Sequence, residues 1–339
     1  MGGIESMLIN ISHFQAQQGH DIHVIIINDI VDNSLAAAVD PSVKIHFLKR
    51  PQGSKNPWHV LKLNMLLHRI QPDVVHLHFT SISKYIIIPS LKKKFCNTLH
   101  NICNPTNTYN IKNAGKTFSI SNIVKKDLKQ KCGLSATTVY NGINPHLFKL
   151  RDYHNPKSAI NLVQIARLSH ETKGQDILLR AAALVLARGY NVNVTFIGDG
   201  PSLPYLTELA KSLGIESRIT FAGNKSQEYV FSHLADFDAM VHPSRIEGFG
   251  LTVAEAMAAM LPVIVSDNDG PMEIIDNGRY GIYFPKDNVV ACAENIVTLI
   301  NNYPSKQTLQ DARAHVEKNF NVENTAKRYL ALYESLNRN

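Results

Sequence analysis

The most constraining feature of this sequence is the alternation of short, continuous apolar runs with amphipathic helical stretches. A run that is apolar at every position is typical of a strand covered on both faces of a parallel sheet. The first half predicts such strands at residues 22–28, 43–48 and 74–78, and helices at 6–18 and 58–70. The alternation therefore favours an α/β fold with a doubly wound parallel sheet.

A polar segment at residues 151–158 interrupts the pattern, and the same alternation then starts again. The second series predicts strands at 160–165, 193–197, 219–221, 239–242 and 263–265, and helices at 175–188, 205–213 and 253–260. A chain of 339 residues is long enough for about two domains. We therefore predict two domains, 1–152 and 153–319, with ligands bound in a cleft at the carboxyl ends of the strands.

Positive charge is concentrated in the first half of the chain. Residues 1–150 carry a net charge of +10, whereas residues 151–339 carry −3. A basic surface attracts anionic partners such as nucleic acid, acidic lipid or a phosphorylated ligand. Because the sequence has no zinc-finger, RNA-binding or basic-zipper pattern, nucleic acid is disfavoured. A face that only keeps the protein in solution remains the alternative.

Several classes of protein are disfavoured by what the sequence lacks. No apolar run approaches the roughly 18–20 residues that a membrane-spanning helix needs. The four cysteines form no C-x-x-C pair and show no zinc-binding spacing. No signal-peptide pattern opens the sequence. We therefore expect a reduced, cytoplasmic, soluble protein.

Two cations lie in the predicted loop at residues 166–174, between a strand and a helix. Arg167 and Lys173 are six residues apart there, and Gly174 follows. A guanidinium grips phosphate oxygens as a fork, an ammonium acts as a point charge, and a helix N-terminus favours anions. This loop suits a diphosphate, and two solvated loop cations are the alternative. The later turn Gly198-Asp199-Gly200 could let backbone approach a ligand.

The most informative stretch is residues 243–258, in which Glu247 precedes a glycine-flanked turn and Glu255 follows eight residues later. The amides of residues 248–251 could face an anion or sugar hydroxyls, and carboxylates accept hydrogen bonds from vicinal hydroxyls. Thr252 and Glu255 also fit a capping box, which would satisfy the free amides of the helix instead. The two roles of Glu255 do not exclude each other.

These motifs, in this order, resemble the retaining family-4 glycosyltransferases over about residues 160–285. The motifs that carry the resemblance are Arg167…Lys173-Gly174, Gly198-Asp199-Gly200-Pro201, Pro243-Ser244…Glu247-Gly248-Phe249-Gly250…Glu255-Ala256-Met257-Ala258 and Gly270-Pro271-Met272-Glu273. The first half resembles the family more loosely, through Gly2-Gly3-Ile4-Glu5, Asp73-Val-Val-His76-Leu-His78 and His100. The resemblance implies the GT-B fold, in which two Rossmann-like domains face a cleft. It also implies that a last helix within 320–339 packs back on the N-terminal domain.

The resemblance assigns roles residue by residue. His100 and Glu247 would be catalytic. The donor would be bound by Gly3, Arg167, Lys173, Gly248, Phe249, Gly250, Leu251, Thr252 and Glu255. The two cations would stabilise the leaving diphosphate, Glu255 would bind the ribose, and Glu247 would position the hexose. No metal and no other cofactor is expected, so Asp236-x-Asp238 and His76-x-His78 would hold no metal; alternation along a strand would place the two histidines on opposite faces.

The family begins with a strand before the Gly-Gly turn, and this sequence lacks it; we expect a start further upstream or a truncated chain. The resemblance implies a transferase that moves a hexose from a nucleotide sugar, UDP-linked, to a glycan or polyprenyl-diphosphate acceptor. Such a reaction fits exopolysaccharide, capsule or O-antigen synthesis, with peripheral contact at the inner face of the plasma membrane. The alternative is a non-catalytic nucleotide-sugar-binding protein, inactivated by the missing strand.

Overall fold

The computed structural model describes residues 3–29, 39–78, 80–102, 115–156, 159–267 and 269–337. Gly2, of the Gly-Gly motif, and Cys103, one of the four cysteines, lie outside these ranges. The chain divides into two compact units. Unit 1 comprises residues 1–142 and 322–339, and unit 2 comprises residues 143–321.

Unit 2 contains one six-stranded parallel sheet with the strand order β12-β11-β10-β7-β8-β9. Its strands are β7 (Ile160–Ile165), β8 (Val192–Ile197), β9 (Ile219–Phe221), β10 (Ala239–His242), β11 (Val263–Ser266) and β12 (Ile282–Phe284). Its helices are α4 (His170–Lys173), α5 (Gln175–Ala187), α6 (Leu203–Ser212), α7 (Gln227–His233), α8 (Leu251–Ala258), α9 (Asp269–Ile274), α10 (Val289–Asn301) and α11 (Lys306–Asn319).

The central strands β10 and β11 of unit 2 are buried at every position, as their continuous apolar runs predict. Val194 and Phe196 from β8 and Val241 from β10 lie in one core cluster with Leu178 of α5 and Ile296 of α10. Strands buried on both faces carry no solvent face, which explains why the sequences of β10 and β11 do not alternate. Strand β8 does alternate, and its Asn193 and Thr195 are only half-buried.

Unit 1 contains two parallel sheets within the described ranges, a pair β1-β2 and a four-stranded sheet β3-β4-β5-β6. Its strands are β1 (His23–Asn28), β2 (Lys44–Arg50), β3 (Val75–Leu77), β4 (Phe95–Leu99), β5 (Lys116–Ser119) and β6 (Thr137–Thr138). Its helices are α1 (Gly3–Gln17), α2 (Trp58–Ile70), α3 (Asn122–Cys132) and α12 (Val322–Asn337).

The last helix of the chain belongs to the first unit. Residues of α12 share a core with α1 and the four-stranded sheet, through contacts of Ala326 and Tyr329 with Met7, Ile11 and Phe118. The chain therefore leaves unit 1 after residue 142, builds all of unit 2, and returns.

The boundary between the units lies ten residues before the predicted one at 152/153. Residues 143–152 belong to unit 2 because polar groups tie them down there. The Lys149 N–H donates to the Phe231 carbonyl at 2.9 Å, and the Arg151 N–H donates to the Ala259 carbonyl at 3.0 Å. The Arg151 side chain also forms a buried ion pair with Asp238. Long-range contacts of this kind leave no local signal in the sequence.

Candidate active site

The loops that carry the predicted cations and Glu247 leave neighbouring strands of unit 2. The chain runs outward from β7 to β8 and β9, and then returns to β10 on the other side of β7. In such a sheet a crevice opens outside the carboxyl ends of the strands where the order reverses. That point lies between β7, followed by the loop with Arg167 and Lys173, and β10, followed by the loop with Glu247.

Lys173 and Glu247 are in direct contact. The Lys173 Nζ donates to Glu247 Oε2 at 2.7 Å, and the Phe249 N–H donates to Oε1 at 3.3 Å. The buried His242 places its Nε2 3.4 Å from Oε2. Burial by itself would raise the pKa of Glu247, but the hydrogen bond from His242 and the charge of Lys173 outweigh it and hold this pKa well below its usual range. Glu247 is therefore ionised throughout the neutral range.

The backbone brings the two loops together. Gly174 has a φ of 65°, and a Cβ there would lie 2.0 Å from the Pro243 carbonyl oxygen. The N–H groups of Arg245 and Ile246 both donate to the Thr172 carbonyl, at 2.9 and 3.1 Å. Because only glycine fits at this contact, the close approach of the loops depends on Gly174.

A third cation of the crevice, Arg245, is already occupied. Its guanidinium donates to both carboxylate oxygens of Asp176, at 2.8 and 2.9 Å, and to the His170 carbonyl. It also donates to Asp287 at 2.5 Å. Hydrogen bonds from Arg245 to these carboxylates raise its pKa above the usual value. Arg245 thus holds the loops in place and has little left to offer a phosphate.

Arg167 contrasts with Arg245. Its side chain is exposed and makes no hydrogen bond or ion pair within the described ranges. Its carbonyl accepts a hydrogen bond from Gln175 Nε2 at 3.0 Å, which fixes the backbone of the loop. The guanidinium is therefore available to an anion at the carboxyl edge of β7.

The glycines of the Gly198-Asp199-Gly200 turn have a packing role. A Cβ on Gly198 would lie 2.1 Å from the Ala166 carbonyl oxygen, and one on Gly200 would lie 2.4 Å from the Leu168 carbonyl oxygen. The backbone that approaches them closely is that of the Arg167 loop. The turn supports the loop that presents Arg167.

The predicted capping box at the start of α8 is wrong. The helix begins at Leu251, its N-cap is Gly250 with a φ of 97°, and no side chain caps it. Thr252 therefore lies inside the helix, at its second position, where it cannot act as the N-cap. A helix N-terminus without a side-chain cap presents N–H groups and a positive dipole end.

Glu255 lies in the second turn of α8 and is partly exposed. Within the described ranges its carboxyl group has no hydrogen-bond or ion-pair partner. Burial raises its pKa to about 7, so the protonated form persists into the neutral range. A ligand that donates hydrogen bonds from hydroxyls would favour the ionised form.

His242 is a site residue that the sequence analysis missed. Its ring is buried, and its Nε2 lies 3.0 Å from Ser244 Oγ as well as near Glu247. The Ser244 carbonyl accepts a hydrogen bond from Ser266 Oγ at 2.6 Å. The only signal in the sequence was a histidine at the end of a buried strand, five residues before Glu247.

The other predicted catalytic residue, His100, lies in unit 1 directly after β4. Its Nε2 is 3.0 Å from His78 Nδ1, whereas its buried Nδ1 has no partner among the described residues. Burial lowers the pKa of His100 to about 4, so the ring is neutral at pH 7. Gly3 opens α1 in the same unit, and its place near a reacting sugar remains a prediction.

The prediction that His76 and His78 lie on opposite faces is wrong. Their ring centroids are 4.1 Å apart, because β3 ends at Leu77 and His78 already follows the strand. Burial lowers the pKa of His76 to about 3, and its Nε2 lies 2.7 Å from Thr98 Oγ1. Across the described ranges no three His, Cys, Asp or Glu side chains form a group that could hold a metal ion.

Both halves of the chain match known domain families. Residues 149–316 match the model described as glycosyl transferases group 1, and residues 1–147 match glycosyltransferase family 4. No helix in the described parts of the chain is both long and apolar enough to cross a bilayer.

Named relatives and solved structures agree with these matches. An uncharacterised glycosyltransferase of Methanocaldococcus jannaschii is 30% identical over 67% of this chain, and the match spans 62% of that relative, less than two thirds of its length. A protein named for colanic acid biosynthesis, from Salmonella typhimurium, is 25% identical over 58% of this chain and 50% of its own length. The solved structure of Anabaena HepE with UDP-glucose aligns with a TM-score of 0.82 at 21% identity, covering 99% of this chain and 96% of that one. The fold is therefore that of the GT-B glycosyltransferases.

Proposed function

We propose that this chain, which belongs to the glycosyltransferases by the families of both its halves, moves a hexose from a UDP-sugar to a glycan or lipid-linked acceptor. The anomeric configuration would be retained, and the product would be a surface polysaccharide such as exopolysaccharide, capsule or O-antigen. The UDP donor is supported by the structural similarity to HepE, which binds UDP-glucose. The polysaccharide product is supported by the relative named for colanic acid biosynthesis.

One observation carries the proposal: the Lys173–Glu247 ion pair at the switch point of the unit 2 sheet, next to the loop that presents Arg167. In the ligand-free protein, Glu247 neutralises Lys173. A donor carries both kinds of partner that the pair needs, since its diphosphate competes for the ammonium and its sugar hydroxyls donate to the carboxylate. Donor binding would therefore split the pair, with the cation turned to the phosphates and the anion to the hexose.

The chemical step then needs charge stabilisation on the leaving group. The bond between the anomeric carbon and the phosphate oxygen breaks, and its electron pair leaves with UDP. Arg167 and Lys173 would stabilise this charge, and such preorganised groups are worth about 10²–10³ in rate each. The acceptor hydroxyl attacks the same face of the sugar, and its proton passes to the leaving phosphate oxygen. These two cations would take the place of a metal, so we expect no metal requirement.

Glu255 would bind the ribose of the nucleotide. Its carboxyl group has no partner in the described protein and sits where the charged form is disfavoured. Two vicinal hydroxyls would supply the missing donors, and binding would shift the group to its ionised form.

His100 would contact the reacting sugar as a neutral ring. With a pKa lowered to about 4 by burial, it carries no charge at pH 7. Its unpartnered Nδ1 could donate or accept one hydrogen bond, and which it does depends on the proton shared with His78. His100 would therefore orient a hydroxyl.

We place the protein in the cytoplasm, at the inner face of the plasma membrane. An acceptor linked to polyprenyl diphosphate lies in that membrane, and the first half of the chain carries a net charge of +10. Anionic lipid attracts such a charge.

The test is a thermal-shift screen with UDP-, GDP- and ADP-sugars, followed by an assay of UDP release. A ligand at about 100 times its Kd stabilises the folded protein by about 2.7 kcal/mol. We expect a shift with a UDP-sugar and release of UDP by the wild type, none by Glu247→Ala, and normal release by Glu228→Gln, which alters an exposed glutamate on α7. Binding without any release, with or without acceptor lipids, would instead support the non-catalytic alternative.

A further inference from the structure

Helix α2 (Trp58–Ile70) carries apolar side chains on its solvent face. Trp58, Leu61 and Met65 are 49%, 47% and 58% exposed, and their spacing places them in one stripe. The opposite face of the helix is the buried one and consists of Leu63, Asn64 and Leu67. The stripe is therefore an addition to an ordinary amphipathic helix, whose outer face would usually be polar.

A buried amide on the opposite side of the helix ties a second segment of unit 1 to α2. Asn64 Nδ2 donates to the Tyr85 carbonyl at 2.8 Å, and Asn64 Oδ1 accepts from the Ile87 N–H at 2.9 Å. These bonds hold the segment 85–87 against α2. Ile87 is 63% exposed, the largest exposure among the bulky apolar side chains of the described residues. The α2 face is hereafter the surface formed by Trp58, Leu61 and Met65.

Cations lie on α2 beside the α2 face and around Tyr85, in the segment that Asn64 holds against the helix. Lys62 Nζ lies 5.7 Å from the centroid of the Trp58 ring, and Lys84 Nζ lies 5.0 Å from that of Tyr85. The Arg50 Cζ lies 5.8 Å from the centroid of the same tyrosine ring. Arg69 follows Met65 by four residues on the same helix, and it is exposed.

Acidic residues are almost absent from this part of the chain. From Pro41 to Lys126 the sequence contains one, Asp73, against fourteen lysines and arginines. A second copy of the α2 face would therefore bring cations against cations, with no carboxylates to pair them. The complementary surface must combine apolar depth with negative charge.

We propose that the α2 face binds the surface of an anionic lipid bilayer. The apolar side chains enter the boundary between headgroups and acyl chains, and Lys62, Lys84 and Arg69 lie at the lipid phosphates. Tryptophan suits this depth because its ring is amphipathic. The inference rests on the proposed function for its choice of a membrane, and it assigns that contact to one helix and one loop of unit 1.

Trp58 is the only tryptophan of the chain, so its fluorescence reports on the α2 face alone. Phosphatidylglycerol vesicles mixed with phosphatidylcholine are titrated into the full-length protein without any substrate. We expect a blue shift of the emission and sedimentation with these vesicles. Pure phosphatidylcholine vesicles should bind at least about tenfold more weakly, since each cation near an anionic surface strengthens binding by a factor of about five.

Two variants separate the contributions. Lys62→Gln with Lys84→Gln should weaken sedimentation with anionic vesicles by about tenfold or more. Leu61→Gln with Met65→Gln should abolish the blue shift. The matched control is Leu147→Gln with Val290→Gln, which changes two comparably exposed apolar residues of unit 2 and should bind as the wild type does.

No blue shift on anionic vesicles, or equal binding by all variants, would overturn the proposal. A blue shift that depends on protein concentration and not on lipid would also overturn it, in favour of a dimer. Release of UDP from a soluble donor should be unchanged in the Leu61 and Met65 variant. A failure of the proposed transferase reaction would therefore leave the vesicle result intact, and the reverse also holds.

Discussion

Lys173 and Glu247 are 74 residues apart in sequence and form a 2.7 Å ion pair between the loops that follow β7 and β10. The two side chains have opposite ligand preferences, since one suits phosphate and the other suits sugar hydroxyls. The pair therefore keeps each group occupied until a molecule with both functions arrives.

Glu247→Gln should strengthen the binding of UDP and abolish turnover. The substitution frees Lys173 for the diphosphate, and UDP has no hexose that would need the carboxylate. We expect UDP affinity to rise several-fold, while release of UDP from a UDP-hexose falls by about 10²-fold or more. Calorimetric titration and a coupled UDP assay measure the two effects, with Glu228→Gln as the control. Weaker UDP binding by Glu247→Gln would contradict the pair as a competitor for phosphate.

Glu255→Gln should stabilise the protein more at pH 8 than at pH 5. Burial raises the pKa of Glu255 from about 4.5, its ordinary value, to about 7. The unfolded protein thus loses this proton first, and wild-type stability falls as the pH rises from about 4.5 to about 7. The loss amounts to at most about 3 kcal/mol, and glutamine avoids it. Melting temperatures across this range check the prediction, which fails if the difference is the same at both pH values.

UDP binding should release a proton at pH 7. Hydroxyl donors favour the ionised form of Glu255, whose pKa burial raises to about 7 in the free protein. We expect a net release of protons on UDP binding, of less than one proton for each UDP bound. Titrations in phosphate and in Tris differ in their heat of ionisation and give this number directly. Glu255→Gln should show no dependence on buffer; if it does, another group supplies the proton.

Gly174→Ala should destabilise unit 2 far more than Gly214→Ala. Both glycines have a positive φ, 65° and 67°, so both substitutions carry the backbone penalty of roughly 1 kcal/mol. Only at Gly174 would the Cβ meet backbone, 2.0 Å from the Pro243 carbonyl oxygen, whereas nothing lies within 4 Å at Gly214. Urea unfolding should show an additional loss of about 2 kcal/mol or more for Gly174→Ala. Equal losses would mean that the loops can separate without cost.

Asp238→Ala should destabilise the protein, and Asp236→Ala should not. Asp238 pairs with Arg151 at 2.6 Å, and their side chains are 7% and 1% exposed. Removing one partner of a buried pair costs about 3–5 kcal/mol. Asp236 is exposed, and its one charged partner among the described residues is Lys149, at 3.4 Å. Unfolding in urea measures both, and a large effect of Asp236→Ala on activity with added Mg²⁺ would restore the metal role that the Asp-x-Asp spacing suggests.

The buried strands of unit 2 could be predicted because their apolar runs are continuous. Strand β4 (Phe95–Leu99) could not, since Asn97 and Thr98 interrupt the run. Thr98 can be buried because its Oγ1 is hydrogen-bonded to His76 Nε2 at 2.7 Å and to the Tyr329 hydroxyl at 3.0 Å. A sequence shows the polar atom and does not show that a partner more than 200 residues away satisfies it.

The candidate site shows the same division. The local pattern identified Arg167, Lys173 and Glu247 through residue type and their position after strands. It could not show that Lys173 bonds to Glu247 or that His242 supports it, because both contacts depend on the order of strands in the sheet. The Thr-x-x-Glu spacing misled for a different reason. Gly250, with a φ of 97°, is the N-cap and the helix begins at Leu251, so Thr252 comes two residues too late to cap it.

The placement of α12 in unit 1 bears on how the chain is made. Residues 143–321 form a continuous unit that can fold as soon as it has left the ribosome. The core around Met7 and Phe118 waits for Tyr329, which is translated after all of unit 2. Newly synthesised chains should therefore pass through a stage in which the second unit is native and the first is protease-sensitive, and a stop codon near residue 322 should leave them there.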